Sequence, residues 1–263
     1  MKKMRLFFCF LMFITLALAG CGSQEQQQPQ TKAEPVKLTI SAAASLQDAA
    51  AELKDTYQKQ HSEVEITYNF AASGPLQKQI EEGASVDMFI SAGKKQMDAL
   101  ADKGLLIDES RVNLLSNELV LIAGQDSKLA GFDGLTGADV KKIGIGTPET
   151  VPAGSYAKEA LTSLQLWDKL QSKLVPASDV RQVLTYVETG NTDAGLVYRS
   201  DAIAGKNIKI VAAAPADSHK PIEYPMALIK STKHQKEIGD FAAFLQSDTA
   251  GAVFEKYGFI TKK

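Results

Sequence analysis

Ser41-Ala42-Ala43-Ala44-Ser45-Leu46 marks the point at which an apolar strand, 37–41, gives way to a helical pattern over 46–60. The same transition recurs at Phe70-Ala71-Ala72-Ser73-Gly74-Pro75, between a strand at 64–70 and a helix at 76–82. Val86-Asp87-Met88-Phe89-Ile90 then reads as a buried strand, and 94–103 as a helix closed by Gly104. Apolar periodicity switching between strand and helix in this order is the rhythm of a parallel sheet with crossover helices. A second series begins at Leu119-Val120-Leu121-Ile122 and continues through a strand at 142–146, helices at 155–164 and 180–188, and a strand at 194–197. Pro225-Met226-Ala227-Leu228-Ile229 adds a strand, and helices at 237–245 and 249–257 close the chain. The expected fold is α/β, in two units. The apolar strands 118–122 and 224–229 have no place in a simple left-to-right series, so they are expected to mark the crossings between two lobes. The final helices then return to the first lobe, and a cleft lies between the two.

Both opening segments carry a serine at a helix start. There the first backbone N–H groups have no intrahelical partner and the helix dipole leaves partial positive charge, so a hydroxyl can join a cradle of amide donors for an anion. Taken singly, Ser45 and Ser73 are better explained as ordinary N-caps, a position serine favours. Ligands of open α/β sheets, however, bind outside the carboxyl ends of the strands, where both serines fall. The second half offers matching candidates. Val151-Pro152-Ala153-Gly154-Ser155 precedes a helix, with Ala153 and Gly154 presenting unobstructed amides after the donorless Pro152. Ser178-Asp179-Val180-Arg181 opens another, with Asp179 as the cap and Val180 in the first turn. Tyr198 follows Gly195-Leu196-Val197 at a strand end, where it could serve as a cleft donor or as a strand anchor.

The amino terminus points to export. Lys2, Lys3 and Arg5 precede an apolar run, and Leu18-Ala19-Gly20-Cys21 resembles the bacterial lipoprotein processing box. The run is short for a membrane span and carries the charged flank and small-residue exit of a secretory signal. Residues 1–20 are therefore expected to be a signal peptide, Cys21 to be lipidated, and 21–35, made up largely of Gln, Glu, Pro and other polar or small residues without a large apolar one, to be a flexible tether. The chain would then stand on the outer face of the cell membrane. Its other cysteine, Cys9, lies within the removed segment, which leaves no disulfide and no thiolate metal site. Loss of Lys2, Lys3 and Arg5 leaves 26 basic against 31 acidic side chains, a balance that argues against a nucleic-acid or anionic-lipid surface.

Taken together, Ala42-Ala43-Ala44-Ser45-Leu46, Phe70-Ala71-Ala72-Ser73, 87–92, 151–161, Asp179-Val180-Arg181 and Gly195-Leu196-Val197-Tyr198 resemble the molybdate-binding proteins of bacterial ABC importers, over nearly all of 38–259. That resemblance implies a two-lobed type II periplasmic-binding-protein fold, with mixed sheets flanked by helices and a two-strand hinge. The first lobe would comprise 36–117 with 225–263 and the second 118–224. It also implies a monomer that holds molybdate or tungstate between the lobes and delivers it to a permease driven by a cytoplasmic ATPase. Ser45 and Ser73 would donate from the first lobe, Ala153 and Val180 would give backbone N–H groups from the second, and Tyr198 its phenolic O–H. Molybdenum or tungsten would enter only as the oxyanion, with no direct protein ligand and no cofactor.

Chemistry supports that assignment. Molybdate and tungstate are dianions with acceptor oxygens only, so a pocket of donors suits them, whereas a protonated phosphate also needs an acceptor. No lysine or arginine occupies the five positions. Burial of a dianion is expensive unless every oxygen is satisfied, and a hydrogen bond to a charged group contributes about 1.5–3 kcal/mol. Arg181 and Lys158 lie close in sequence and are read as solvated surface charges. The chain departs from the family pattern at Gly74-Pro75, where Pro75 removes an amide, and at Asp48, read as a first-turn acid that favours the helix dipole. An enzyme is poorly supported, since His61, His219 and His234 stand in polar stretches without metal-ligand spacing or a nucleophile elbow. The competing readings are the same fold with another tetrahedral oxyanion such as sulfate, or a lipoprotein that binds a protein partner and no small ligand.

Overall fold

The computed structural model describes residues 34–261; the signal, the lipidated Cys21 and all but the end of the tether lie outside the described residues. The chain begins with β1 (Val36–Ala43), α1 (Gln47–Gln58), β2 (Val64–Ala71), α2 (Ser73–Glu81), β3 (Met88–Ile90) and α3 (Lys94–Asp102). β4 (Val112–Asn117) and β5 (Leu119–Gly124) follow, separated only by Glu118. Then come β6 (Ile143–Gly146), α4 (Pro152–Ser163), α5 (Trp167–Leu170), β7 (Leu174–Ala177), α6 (Val180–Glu188), β8 (Ala194–Tyr198), α7 (Arg199–Ala204) and β9 (Ile208–Ala213). β10 (Ile222–Leu228), α8 (Gln235–Leu245), α9 (Asp248–Lys256) and β11 (Ile260–Thr261) complete it.

Two mixed sheets result, one in the order β11-β4-β10-β3-β1-β2 and the other in the order β7-β6-β8-β5-β9. Each contains a parallel triad, β2-β1-β3 in the first and β7-β6-β8 in the second, with an antiparallel strand at its flank, β10 or β5 respectively. The chain crosses between the sheets twice, at Glu118 and through 214–221. Each of the long apolar strands expected at the crossings therefore lies within one sheet and starts at or beside a crossing.

Within the parallel triads β3, β6 and β8 are buried along their whole length and read as short apolar runs, whereas the edge strand β2 alternates buried Val64 and Ile66 with exposed Glu65 and Thr67. In β3, Met88 and Ile90 join the main apolar cluster, whereas Phe89, pointing the other way, packs with Leu76, Ile80, Met97 and Leu100 under α2 and α3. On α1 the buried side chains are Ala49, Ala50, Leu53 and Tyr57, the stripe that a 3.6-residue period produces. Several expected boundaries shift by a few residues. α4 starts at Pro152 rather than 155, because proline's fixed φ suits the first helical position. The edge strands β7 and β9 escaped the sequence reading because they are only partly buried and lack a clean apolar pattern.

Candidate functional site

The carboxyl ends of the six parallel strands converge on one place. Ala44 and Ser45 follow β1, Ala72 and Ser73 follow β2, Ala92 follows β3, Val151 to Ala153 lie beyond β6, Val180 follows β7, and Tyr198 ends β8. These residues line a single cavity with about 210 Å³ of empty space. All five residues singled out from the sequence, Ser45, Ser73, Ala153, Val180 and Tyr198, are among its walls. Only about 10 Å³ of it is open to a water-sized sphere, against roughly 300–1,000 Å³ for pockets that take drug-sized molecules, so any guest must be small and closely wrapped. A larger recess of about 1510 Å³ opens beside it, lined by Lys94, Lys95, Glu149, Glu159, Glu223 and others. That recess mixes both signs of charge on partly exposed side chains, so an ion there stays hydrated. The smaller cavity is where unpartnered donors collect.

Neither serine caps its helix. Ser45 sits in a short 3-10 turn, Ala44–Leu46, that leads into α1, and Ser73 is the first residue of α2 behind Ala72. Their hydroxyls have tertiary partners instead. Ser73 Oγ accepts the Ala92 N–H at 2.9 Å, which leaves its own proton free for the cavity, and Ser45 Oγ lies 2.8 Å from Tyr224 Oη. The Asp179 expectation holds, since its carboxylate accepts the Gln182 N–H at 2.9 Å and caps α6. Val180 and Ala153 are thus first-turn residues of α6 and α4, whose N–H groups have no intrahelical acceptor. Neither N–H donates to another described residue. The start of α4 lies directly over the end of β6: a Cβ on Gly154 would stand 1.9 Å from the Gly146 carbonyl oxygen. Glycine at this point lets the helix amides descend to the cavity.

Tyr198 supplies the most telling atom. Its ring is buried, and its phenolic oxygen has no hydrogen-bond partner among the described residues. Burial pushes its pKa well above the usual value, so it remains an O–H donor. A buried polar group left unpartnered costs about 1–3 kcal/mol, which an acceptor in the cavity would recover. Donors on the α2 side are fewer. Gly74 gives its N–H to the Thr150 carbonyl at 3.1 Å and Pro75 has none, so Ser73 is the donor left there.

No basic side chain lines the cavity. Arg181, expected to be a solvated charge, is instead only about a quarter exposed and bridges two carboxylates: Asp48 Oδ2 at 2.9 Å and Asp201 Oδ1 at 3.9 Å. Asp48 does lie in the first turn of α1, and it also ties α1 to α6 through this pair. Asp201 is fully buried; burial raises its pKa to about 7, against the opposing pull of Arg181. Lys158 stands over the Trp167 ring, 5.3 Å from its centroid, away from the cavity. Among the described residues no group of three or more His, Cys, Asp or Glu could hold a metal ion, and no helix is long and apolar enough to cross a membrane.

Tyr224, Asn117 and Ala92, which hold the two serines, were missed in the sequence. Tyr224 is 179 residues from Ser45, and only the pairing of β10 beside β3 and β4 brings it close. The assembled site gathers O–H and N–H donors without a basic counter-ion, and the one carboxylate in its lining, Asp179, is turned to the Gln182 N–H as the cap of α6; the set suits a small anion with acceptor oxygens.

Comparison with known proteins agrees with that geometry. Residues 38–260 match the sequence model described as bacterial extracellular solute-binding protein. A putative ABC transporter substrate-binding lipoprotein, YvgL, of Bacillus subtilis (strain 168) is 49% identical over 246 residues, covering 93% of each chain. The molybdate-binding protein ModA of Haemophilus influenzae is 41% identical over 235 residues, 88% of this chain and 92% of that one. Among solved structures, the substrate binding domain of a putative molybdenum ABC transporter from Clostridium difficile superposes with a TM-score of 0.69 at 46% identity, covering 87% of this chain and 100% of that chain.

Proposed function

Because the chain belongs to the bacterial extracellular solute-binding protein family, we propose that it captures molybdate outside the cytoplasm and hands it to an ABC importer. The observation that carries this reading is the buried, unpartnered Tyr198 hydroxyl in a cavity lined by free helix-start amides and serine hydroxyls, with no basic side chain. In this reading Ser45 and Ser73 donate from one side, the Ala153 and Val180 N–H groups and the Tyr198 O–H from the other, and tungstate is accepted on the same terms. Several hydrogen bonds of about 1.5–3 kcal/mol each offset the desolvation of the dianion. Residues 36–117 with 225–263 form one lobe and 118–224 the other, and the ligand draws them together. The protein acts as a monomer, is anchored to the outer face of the membrane through a lipid on Cys21, and meets a permease with a cytoplasmic ATPase. It performs no catalysis.

Titration calorimetry of the full chain, purified in detergent, against molybdate, tungstate, sulfate and phosphate tests the proposal. Tight binding of molybdate and tungstate is expected, with Ser45→Ala and Ser73→Ala each weakening it at least about tenfold. Absence of tight molybdate binding would refute the assignment.

A further inference from the structure

The direction of the hydrogen bond between Ser45 and Tyr224 is settled two side chains away. Asn117 Oδ1 accepts the Glu118 N–H at 2.9 Å, which fixes how its amide is turned and leaves its NH2 group as a donor only. That group donates to Ser200 Oγ at 2.9 Å and to Tyr224 Oη at 3.3 Å. With Tyr224 Oη accepting from Asn117, the phenolic proton is left for Ser45 Oγ at 2.8 Å. Ser45 Oγ then accepts, and its own proton is free for the cavity. All four members of the chain, Asn117, Ser200, Tyr224 and Ser45, are buried, so no bulk water competes for these protons. Burial also raises the Tyr224 pKa well above its usual value, and the phenol keeps its proton.

We infer that Asn117 and Tyr224 are positioning residues that fix Ser45 as a proton donor toward the cavity, and that this polarity selects a fully deprotonated oxyanion over one that carries a proton. A hydroxyl free to rotate serves either ion, donating to a bare oxygen or accepting from a P–O–H. A hydroxyl held by Tyr224 serves only the first. Ser73, held by the Ala92 N–H, has the same polarity by a different route. The arrangement also ties an anion donor to the first crossing, since Asn117 ends β4 directly before Glu118 and Ser200 belongs to α7 beyond it. The inference rests on the proposed role of Ser45 in molybdate capture.

The test is a double-mutant cycle on the full chain with Ser45→Ala, Tyr224→Phe and the pair, with the dissociation constants of molybdate, sulfate and inorganic phosphate measured at pH 7 beside the ligand-free Tm. Tyr224→Phe is expected to weaken molybdate roughly 2- to 12-fold, the range of one neutral hydrogen bond. The phosphate-to-molybdate ratio of dissociation constants should fall, because a released Ser45 can accept, while the sulfate-to-molybdate ratio stays constant because neither ion carries a proton. In the Ser45→Ala background the same change should leave molybdate affinity unaltered, while Tm still shifts but by less than in the parent, because the Ser45 partner of the phenol is already gone. A merely structural role for Tyr224 would lower molybdate affinity by the same factor in both backgrounds, and that result would overturn the inference. Asn117→Asp, which accepts where asparagine donates, should weaken molybdate more than Tyr224→Phe does, and an unchanged affinity there would also overturn it. Wild-type molybdate affinity in Ser45→Ala would refute the assignment of that residue to the site itself; weakening in Ser45→Ala with no effect of Tyr224→Phe would refute the relay alone.

Discussion

Replacement of Tyr198 by phenylalanine separates binding from stability because the two should move in opposite directions. The variant keeps the ring, which packs edge-on to Tyr224 with centroids 5.8 Å apart, and removes only the hydroxyl. With ligand present, that hydroxyl donates to a charged oxygen, and loss of such a bond, about 1.5–3 kcal/mol, should raise the molybdate dissociation constant roughly 12- to 160-fold. Without ligand, the same oxygen is buried and unpartnered, so its removal should recover part of a desolvation penalty of about 1–3 kcal/mol. For a domain of this size about 1 kcal/mol corresponds to roughly 2–4 °C, so the ligand-free Tm should rise by a few degrees. Calorimetric titration and a thermal melt without ligand give the two numbers. Unchanged molybdate affinity would refute the role of the phenol, and a lower ligand-free Tm would mean that the hydroxyl has a protein partner.

Two other substitutions probe the framework around the cavity. Gly74→Ala places a Cβ 2.4 Å from the Thr150 carbonyl oxygen, at the contact where the start of α2 meets the segment before α4. Molybdate affinity should fall and ligand-induced compaction in small-angle scattering should shrink; wild-type behaviour in both would show that this approach is not needed for capture. Asp201→Asn tests the buried carboxyl. Its folded pKa of about 7 exceeds the ordinary carboxylate value, so the folded state holds a proton that the unfolded chain releases, and stability falls as pH rises from about 4 to about 7. The Tm advantage of Asp201→Asn over the parent should therefore grow across that window and level off above it, and an advantage independent of pH would contradict the raised pKa.

Strand-to-helix transitions were legible where a two-residue alternation gave way to a 3.6-residue stripe, as where Leu38 and Ile40, spaced by Thr39, lead on to Ala49, Leu53 and Tyr57. The serines, helix-start amides and terminal tyrosine were legible for the same reason: each stands where a strand ends. The behaviour of the serines was not. Local preference makes Ser45 and Ser73 caps, and tertiary partners at Tyr224 and Ala92 override it. Arg181 looks like a solvated charge and Asp48 like a first-turn acid in their own helices, and they become a pair only when α6 packs beside α1. Tyr224 carries no local mark of function at all; its meaning depends on β10 lying antiparallel between β3 and β4, a pairing that strand pattern leaves undetermined.

The central claim is that one donor-lined cavity at the carboxyl ends of both parallel triads holds the oxyanion. Anomalous diffraction at the molybdenum edge, from crystals of the chain grown with molybdate, tests it most directly. The account predicts a single strong molybdenum peak bounded by Ser45, Ser73, Ala153, Val180 and Tyr198, with oxygens within hydrogen-bond distance of the two serine hydroxyls, the two amides and the phenol. A peak in the neighbouring charged recess beside Lys94 and Glu159, or none above background, would contradict it.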